Sequence, residues 1–190
     1  MRSLLLVSIL VLSASCGDDE KPMLSYANPK GGALRLVNSK TKPKAETELV
    51  LDLVVGDQPL TGYSAGFNLP VGHGLVRLTE LTPGTALDPG TSPPAARAVV
   101  PTSGPLADHL VTGISQKASG PGAVTTDTLL APGTVLYTVH LELLASAPDG
   151  VIVDGAAEDF HLPSGGMRDR NGTTVVEATD VAIGKLEVNR

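Results

Sequence analysis

A chain of 190 residues with a formal net charge of −6 is long enough for one domain with a substantial hydrophobic core. Its acidic balance, which no cluster of Lys or Arg interrupts, argues against nucleic acid and anionic lipid as partners, because neither attracts a negative surface. A single cysteine excludes an internal disulfide framework and a zinc site built from several cysteines.

Residues 1–15 have the layout of a secretory signal peptide. Arg2 supplies a positive start, Leu4–Leu12 is an apolar run too short to span a bilayer, and Ser13–Ser15 are small residues. We therefore predict that residues 1–15 are removed from the mature protein.

The small residues lead directly into Cys16, and this stretch resembles the lipobox of bacterial lipoproteins, with Leu12 one position further from the cysteine than the family's usual leucine. The resemblance implies that Cys16 is acylated and becomes the first residue of the mature chain. Each buried methylene of the acyl chains contributes ~0.8 kcal/mol, so such an anchor is effectively permanent. The alternative is an ordinary secreted protein with a free Cys16 thiol, which is a liability in an oxidising compartment.

The residues after Cys16 bear on the destination of the protein. In the lipoprotein class, aspartate directly after the cysteine favours retention in the inner membrane, whereas this chain has Gly17. The resemblance therefore implies the outer membrane. The acidic run Asp18–Glu20 leaves both the periplasmic face and the cell surface open. Residues 16–30 are predicted to form a solvated, lipid-anchored tether.

Residues 31–190 favour an all-β domain. Gly (21) and Pro (15) are numerous, aromatic residues make up 3%, and apolar side chains recur with a period of two. In Gly133–Leu144, the clearest strand, alternate apolar residues contrast with the polar Thr138, His140 and Glu142. Asn171-Gly172 predicts a hairpin turn. About nine such strands without a convincing amphipathic helix predict a single β-sandwich.

The order of "GFNLPVGHGLVRLTELTPGTAL", "GTVLYTVHLELL", "DFHLP", "DRNGTTV" and "VAIGKLEV" resembles the cohesin-like family of bacterial jelly-roll sandwiches, which is related in fold to some carbohydrate-binding modules. The resemblance covers residues 31–190. It implies a non-catalytic module that binds another protein through one sheet face. No binding residue of the family has a matching motif in this chain.

The sequence favours neither an active site nor a cofactor. His73, His109, His140 and His161 stand in no metal-binding spacing, and neither a GxSxG elbow nor a phosphate loop is present. His140, on the polar face of its strand, is expected to be solvated or half-buried. We predict that the protein is not an enzyme and holds no cofactor.

The segment from Asp169 to Glu177 contains candidate calcium ligands. Oxygens of Asp169 and Asn171, with Glu177 as the closing acid, could contribute to a calcium site, which needs six or more oxygen ligands. The hairpin turn explains the same residues without an ion and is the favoured interpretation.

Two binding functions remain open. The first, which we favour, is an outer-membrane lipoprotein that binds a cell-envelope or surface protein in an adhesion, secretion or motility assembly. Its contact surface would be a flat sheet face or the loops at 82–105 and 117–133. The second is glycan binding, which normally needs an exposed aromatic platform. An enzyme ranks third. The chain offers few aromatic residues for a platform: Tyr26, Tyr63, Tyr137, Phe67 and Phe160.

Overall fold

The computed structural model describes residues 22–88, 92–118, 120–121 and 124–189. The predicted signal peptide and Cys16 lie outside these residues. The strands are β1 (Met23–Ala27), β2 (Leu34–Asn38), β3 (Glu48–Val55), β4 (Leu60–Gly62), β5 (Ser64–Pro70), β6 (Val76–Pro83), β7 (Ala95–Val99), β8 (His109–Ser115), β9 (Thr128–Leu130), β10 (Val135–Leu143), β11 (Gly150–Asp154), β12 (Gly165–Arg168), β13 (Thr174–Val176), β14 (Val181–Ala182) and β15 (Lys185–Asn189).

The described residues form two five-stranded sheets. The first sheet has the order β14-β2-β3-β10-β6, and the second sheet has the order β13-β12-β5-β8-β7. All of their pairings are antiparallel except β14 with β2. The same part of the chain also contains two smaller sheets, β1-β15-β11 and β4-β9. The prediction of an all-β sandwich is confirmed. The chain divides into more strands than about nine because several, such as β4, β9 and β14, span only two or three residues.

The core lies between the two large sheets and follows from the period-two pattern. In the first sheet, Leu51 faces Val139 across β3 and β10, and both are fully buried. In the second sheet, β5 and β8 alternate between buried and half-buried positions along their whole length. Phe67 of β5 stacks on Tyr137 of β10 with ring centroids 6.3 Å apart, so the two sheets are in direct contact.

The prediction of a tether through residue 30 is wrong for its second half. Residues 23–27 form β1, which pairs along its length with β15, and Leu24 and Tyr26 are buried. Their alternation with exposed or half-buried neighbours is the period-two pattern of a half-buried strand. The folded domain therefore begins before residue 31.

Among the described residues, no helix is long and apolar enough to cross a membrane. The helical structure in this part of the chain is a single 3-10 turn at Ala178–Asp180, between β13 and β14.

Candidate functional site

A groove crosses the outer face of the second sheet. Residues directly opposite each other on antiparallel strands share a face, and here Gly166 of β12 faces Gly66 of β5, which faces Gly113 of β8. Gly113 in turn faces Arg97 of β7. Three adjacent strands therefore present no side chain in this row. The resulting groove encloses about 580 Å³.

The glycines of this row differ in what surrounds them. A Cβ atom on Gly66 would lie 2.3 Å from the Thr112 carbonyl oxygen, so backbone packing requires glycine at this position. A Cβ atom on Gly113 would meet nothing closer than 4.0 Å, at the Ala65 carbonyl oxygen. The space above Gly113 is therefore open, and a side chain there would project into the groove.

Polar side chains line the groove on both sides of the glycine row. Ser64 and Ser115 face each other on one side, and Asn68 lies on the other. The Asn68 side-chain amide donates to Ser164 Oγ at 2.7 Å. These hydroxyl and amide groups can donate and accept hydrogen bonds, which suits a polar ligand in the groove.

The charged groups among the described lining residues are two arginines at opposite ends of the groove. Arg97 and Arg168 are both exposed. Arg168 Nη1 donates to the Gly172 carbonyl and to Thr174 Oγ1, which are neutral acceptors. The groove is therefore positively charged on a chain whose formal net charge is −6.

The aromatic residues do not form a binding platform. Tyr26, Tyr137 and Phe67 are buried, and Tyr63 and Phe160 are half-buried. All five aromatic residues of the chain lie in its described part, and none presents an exposed ring for stacking on a sugar. The geometry therefore gives no support to the glycan alternative.

The outer face of the first sheet holds a buried acid–histidine pair, so the expectation of a solvated or half-buried His140 is wrong. His140 is 3% exposed, and its Nδ1 lies 3.1 Å from Oε1 of Glu48, itself 9% exposed. Glu48 also accepts hydrogen bonds from Thr79 Oγ1 and from the Lys44 backbone N–H. Burial raises the pKa of Glu48, but these bonds outweigh it and hold that pKa below its usual 4.5. The pair is enclosed by partners within the fold, which indicates a structural role.

A second acid–histidine pair is exposed, beside a cleft of about 540 Å³. His73 Nδ1 lies 2.6 Å from Asp108 Oδ1. The sequence neighbour of Asp108, His109, instead contacts the Ala107 carbonyl oxygen. Thr102 supplies a hydroxyl to the cleft lining, but among the described residues His73 forms no hydrogen bond to a hydroxyl group. Within the described ranges, therefore, no nucleophile is bonded to this acid–base pair.

The weak calcium candidates lie in and after the hairpin that joins β12 to β13. Asp169 Oδ1 accepts from the backbone N–H groups of Asn171 and Thr173, and Gly172 adopts a positive φ of 83°. Glu177 precedes the 3-10 turn. In the described part of the chain, no three His, Cys, Asp or Glu side chains converge as a metal site. The local hydrogen bonds thus account for Asp169 as a turn residue.

Sequence reasoning missed the groove and the Glu48–His140 pair because both depend on strand pairing. Gly66 and Gly113 come together only through the register of β5 with β8, and Glu48 meets His140 only because β3 pairs with β10. A usable signal was present in the strands: Gly66 and Gly113 each occupy an outward position in an otherwise alternating run.

Comparisons with known proteins give little further information. No protein-family model matches the chain, and no curated protein matches it. Among solved structures, the solution structure of CaCohA2 from Clostridium acetobutylicum is similar over 82% of this chain and 90% of its own, with 13% identity and a TM-score of 0.44.

Proposed function

We propose that this chain is a non-catalytic, lipid-anchored lipoprotein of the outer membrane, and that its sandwich binds another cell-envelope protein through the groove of the second sheet. The observation that carries the proposal is the groove itself: open above Gly113, polar along its walls, and bordered by Arg97 and Arg168. A surface that lacks side chains lets a partner's main chain approach closely.

The anchor is proposed from the sequence of the N-terminus. Acylation of Cys16 would hold the domain at the outer membrane, on its periplasmic face or at the cell surface. Confinement to the same membrane raises the effective concentration of a partner, so a modest intrinsic affinity is sufficient. An adhesion, secretion or motility assembly provides such partners.

Site-specific photo-crosslinking in intact cells tests the binding surface. A photoreactive amino acid at Ser115, which lines the groove, is expected to give a defined protein adduct. The matched control is the same amino acid at Thr82, which is exposed on β6 of the first sheet and is expected to give none. Equal adducts at both positions, or none at Ser115, would refute binding through the groove.

Metabolic labelling with a radioactive fatty acid tests the anchor. Wild-type protein is expected to incorporate label and to fractionate with the outer membrane, whereas Cys16→Ala is expected to lose both properties. A matched Ser15→Ala variant keeps the cysteine and should retain the label. If Cys16→Ala fractionates like the wild type, the lipid anchor is wrong.

A further inference from the structure

We infer that the groove binds an extended, acidic segment of the partner, with carboxylates spaced four to six residues apart. This inference rests on the proposed function, because it specifies which part of a protein partner occupies the groove. It concerns the outer face of the second sheet, between Arg97 on β7 and Arg168 on β12.

The charge of the groove suits an acidic ligand. Arg35 and Arg77, elsewhere on the surface, pair with Asp57 and Glu142. Among the described residues, Arg97 and Arg168 form no ion pair with a carboxylate, although both are exposed. Two guanidinium groups in a groove with no acidic side chain among its described lining residues favour a ligand that carries carboxylates, which arginine binds in a bidentate manner.

The distance between the two arginines sets the spacing of the carboxylates that can bind to both. Three strand spacings separate β12 from β7, and neighbouring strands lie about 4.8 Å apart, which gives about 14 Å across the sheet. Arg168 faces Ser64 and Arg97 faces Gly113, so the two Cα atoms are also offset by two residues along the strands. The total separation is about 16 Å. An extended chain rises about 3.3 Å per residue, so carboxylates four to six residues apart can reach both guanidinium groups.

The width of the groove favours an extended segment over a helix. The rows that flank the glycine row begin two residues away on either side, at Ser115 and at Val111 on β8, which places their Cα atoms about 13 Å apart. Side chains on both rows narrow this space further. A helix with its side chains is about 10–12 Å wide and would leave only about 1–3 Å for the side chains of the two rows, so a single extended chain fits better. Asn68, Ser64 and Ser115 can then bond to the main chain of that segment.

Fluorescence anisotropy with designed peptides tests the inference. The full-length protein, purified from membranes in detergent, is titrated against labelled dodecapeptides of Ser, Thr and Val that carry two glutamates four residues apart. The control peptides place the two glutamates side by side, or replace both with lysine. We expect the spaced acidic peptide to bind roughly tenfold more tightly than the lysine peptide and several-fold more tightly than the adjacent-acid peptide, with an affinity that falls as salt rises.

Variants assign the binding to the groove. Arg97→Gln removes an exposed charge, and Gly113→Leu fills the open space without a backbone clash, so each is expected to weaken binding of the spaced acidic peptide roughly tenfold or more. The matched control is Arg170→Gln, an exposed arginine two residues from Arg168 that contacts the Thr125 carbonyl and is not part of the groove lining. It should bind like the wild type.

The outcomes separate the inference from the proposed function. If the lysine peptide binds equally well, if the two acid spacings do not differ, or if Arg97→Gln and Gly113→Leu have no effect, the acidic-segment inference is overturned. In that case a persistent adduct at Ser115 in cells would leave the groove as a protein-binding surface. Absence of the adduct would remove the proposed function as well.

Discussion

Among single side chains, Glu48 is notable because its carboxylate is buried and hydrogen-bonded within the fold. Its carboxylate accepts bonds from His140, Thr79 and the Lys44 backbone, and its pKa is held below 4.5 despite burial. A carboxyl group whose pKa is lower in the folded state stabilises the fold above its unfolded pKa. That stabilisation is lost as the pH falls below about 4.5 and then through the lower pKa of Glu48 in the folded state.

Glu48→Gln is therefore expected to lower the free energy of unfolding at neutral pH by about 2–4 kcal/mol, because the partners of a buried carboxylate lose their charged acceptor. The difference in the free energy of unfolding between the variant and the wild type should become smaller as the pH falls below about 4.5. Urea denaturation across the acidic and neutral range measures both effects. Glu46→Gln, at an exposed position in the loop before β3, is the control and should leave stability unchanged. A constant gap at all pH values would contradict the assigned ionisation of Glu48.

At the scale of one element, Tyr26 attaches β1 to the rest of the fold. Its hydroxyl donates to the Leu36 carbonyl at 2.9 Å and accepts from the Gly184 N–H at 2.6 Å. Burial raises the pKa of Tyr26 to about 12, although the bond from Gly184 opposes this, so the hydroxyl remains a donor at neutral pH. Tyr26→Phe leaves two buried backbone groups unpaired and is expected to cost about 2–3 kcal/mol.

Hydrogen exchange locates this effect. Relative to the wild type, Tyr26→Phe should accelerate amide exchange more in β1 and β15 than in β3 and β10, because the lost hydrogen bonds hold the smaller sheet. Tyr63→Phe removes the hydroxyl of a half-buried tyrosine and serves as the control, with little expected change. Uniform acceleration across all strands would show that β1 unfolds only together with the whole domain.

The β12–β13 hairpin supports a separate prediction about ions. Hydrogen bonds from the backbone N–H groups of Asn171 and Thr173 keep the pKa of Asp169 below its usual value, although desolvation opposes this. Asp169→Ala removes the acceptor of the turn and is expected to lower the Tm slightly. Asp169→Asn keeps an oxygen acceptor and should lower the stability less.

Calcium should not change the Tm of the wild type. A calcium-dependent rise in Tm that Asp169→Ala abolishes would instead establish an ion site.

At the scale of the whole molecule, the sequence predicted what depends on local alternation and missed what depends on distant pairing. The period of two identified the sandwich and the buried face of β10, because alternation is a property of one strand. The segment "MLSYA" also alternates, and the prediction of a tether there is wrong because β15, distant in sequence, pairs with it. The groove required the register of four strands, which no single segment encodes.

The two large sheets are joined through a buried polar contact, and its two partners should respond differently to substitution. Thr112 Oγ1 donates to the Phe67 carbonyl at 2.9 Å, so it accepts from the Tyr137 hydroxyl at 2.7 Å. Tyr137→Phe leaves Thr112 bonded to Phe67 and should cost about 1 kcal/mol. Thr112→Val leaves the fully buried Tyr137 hydroxyl unpaired and should cost about 2–3 kcal/mol.

Thermal unfolding of both variants and of the double variant measures the energetic coupling between Thr112 and Tyr137. The double variant should be no less stable than Thr112→Val alone, since it has no unpaired hydroxyl. Additive losses of stability would show that Thr112 and Tyr137 are not energetically coupled across the two sheets.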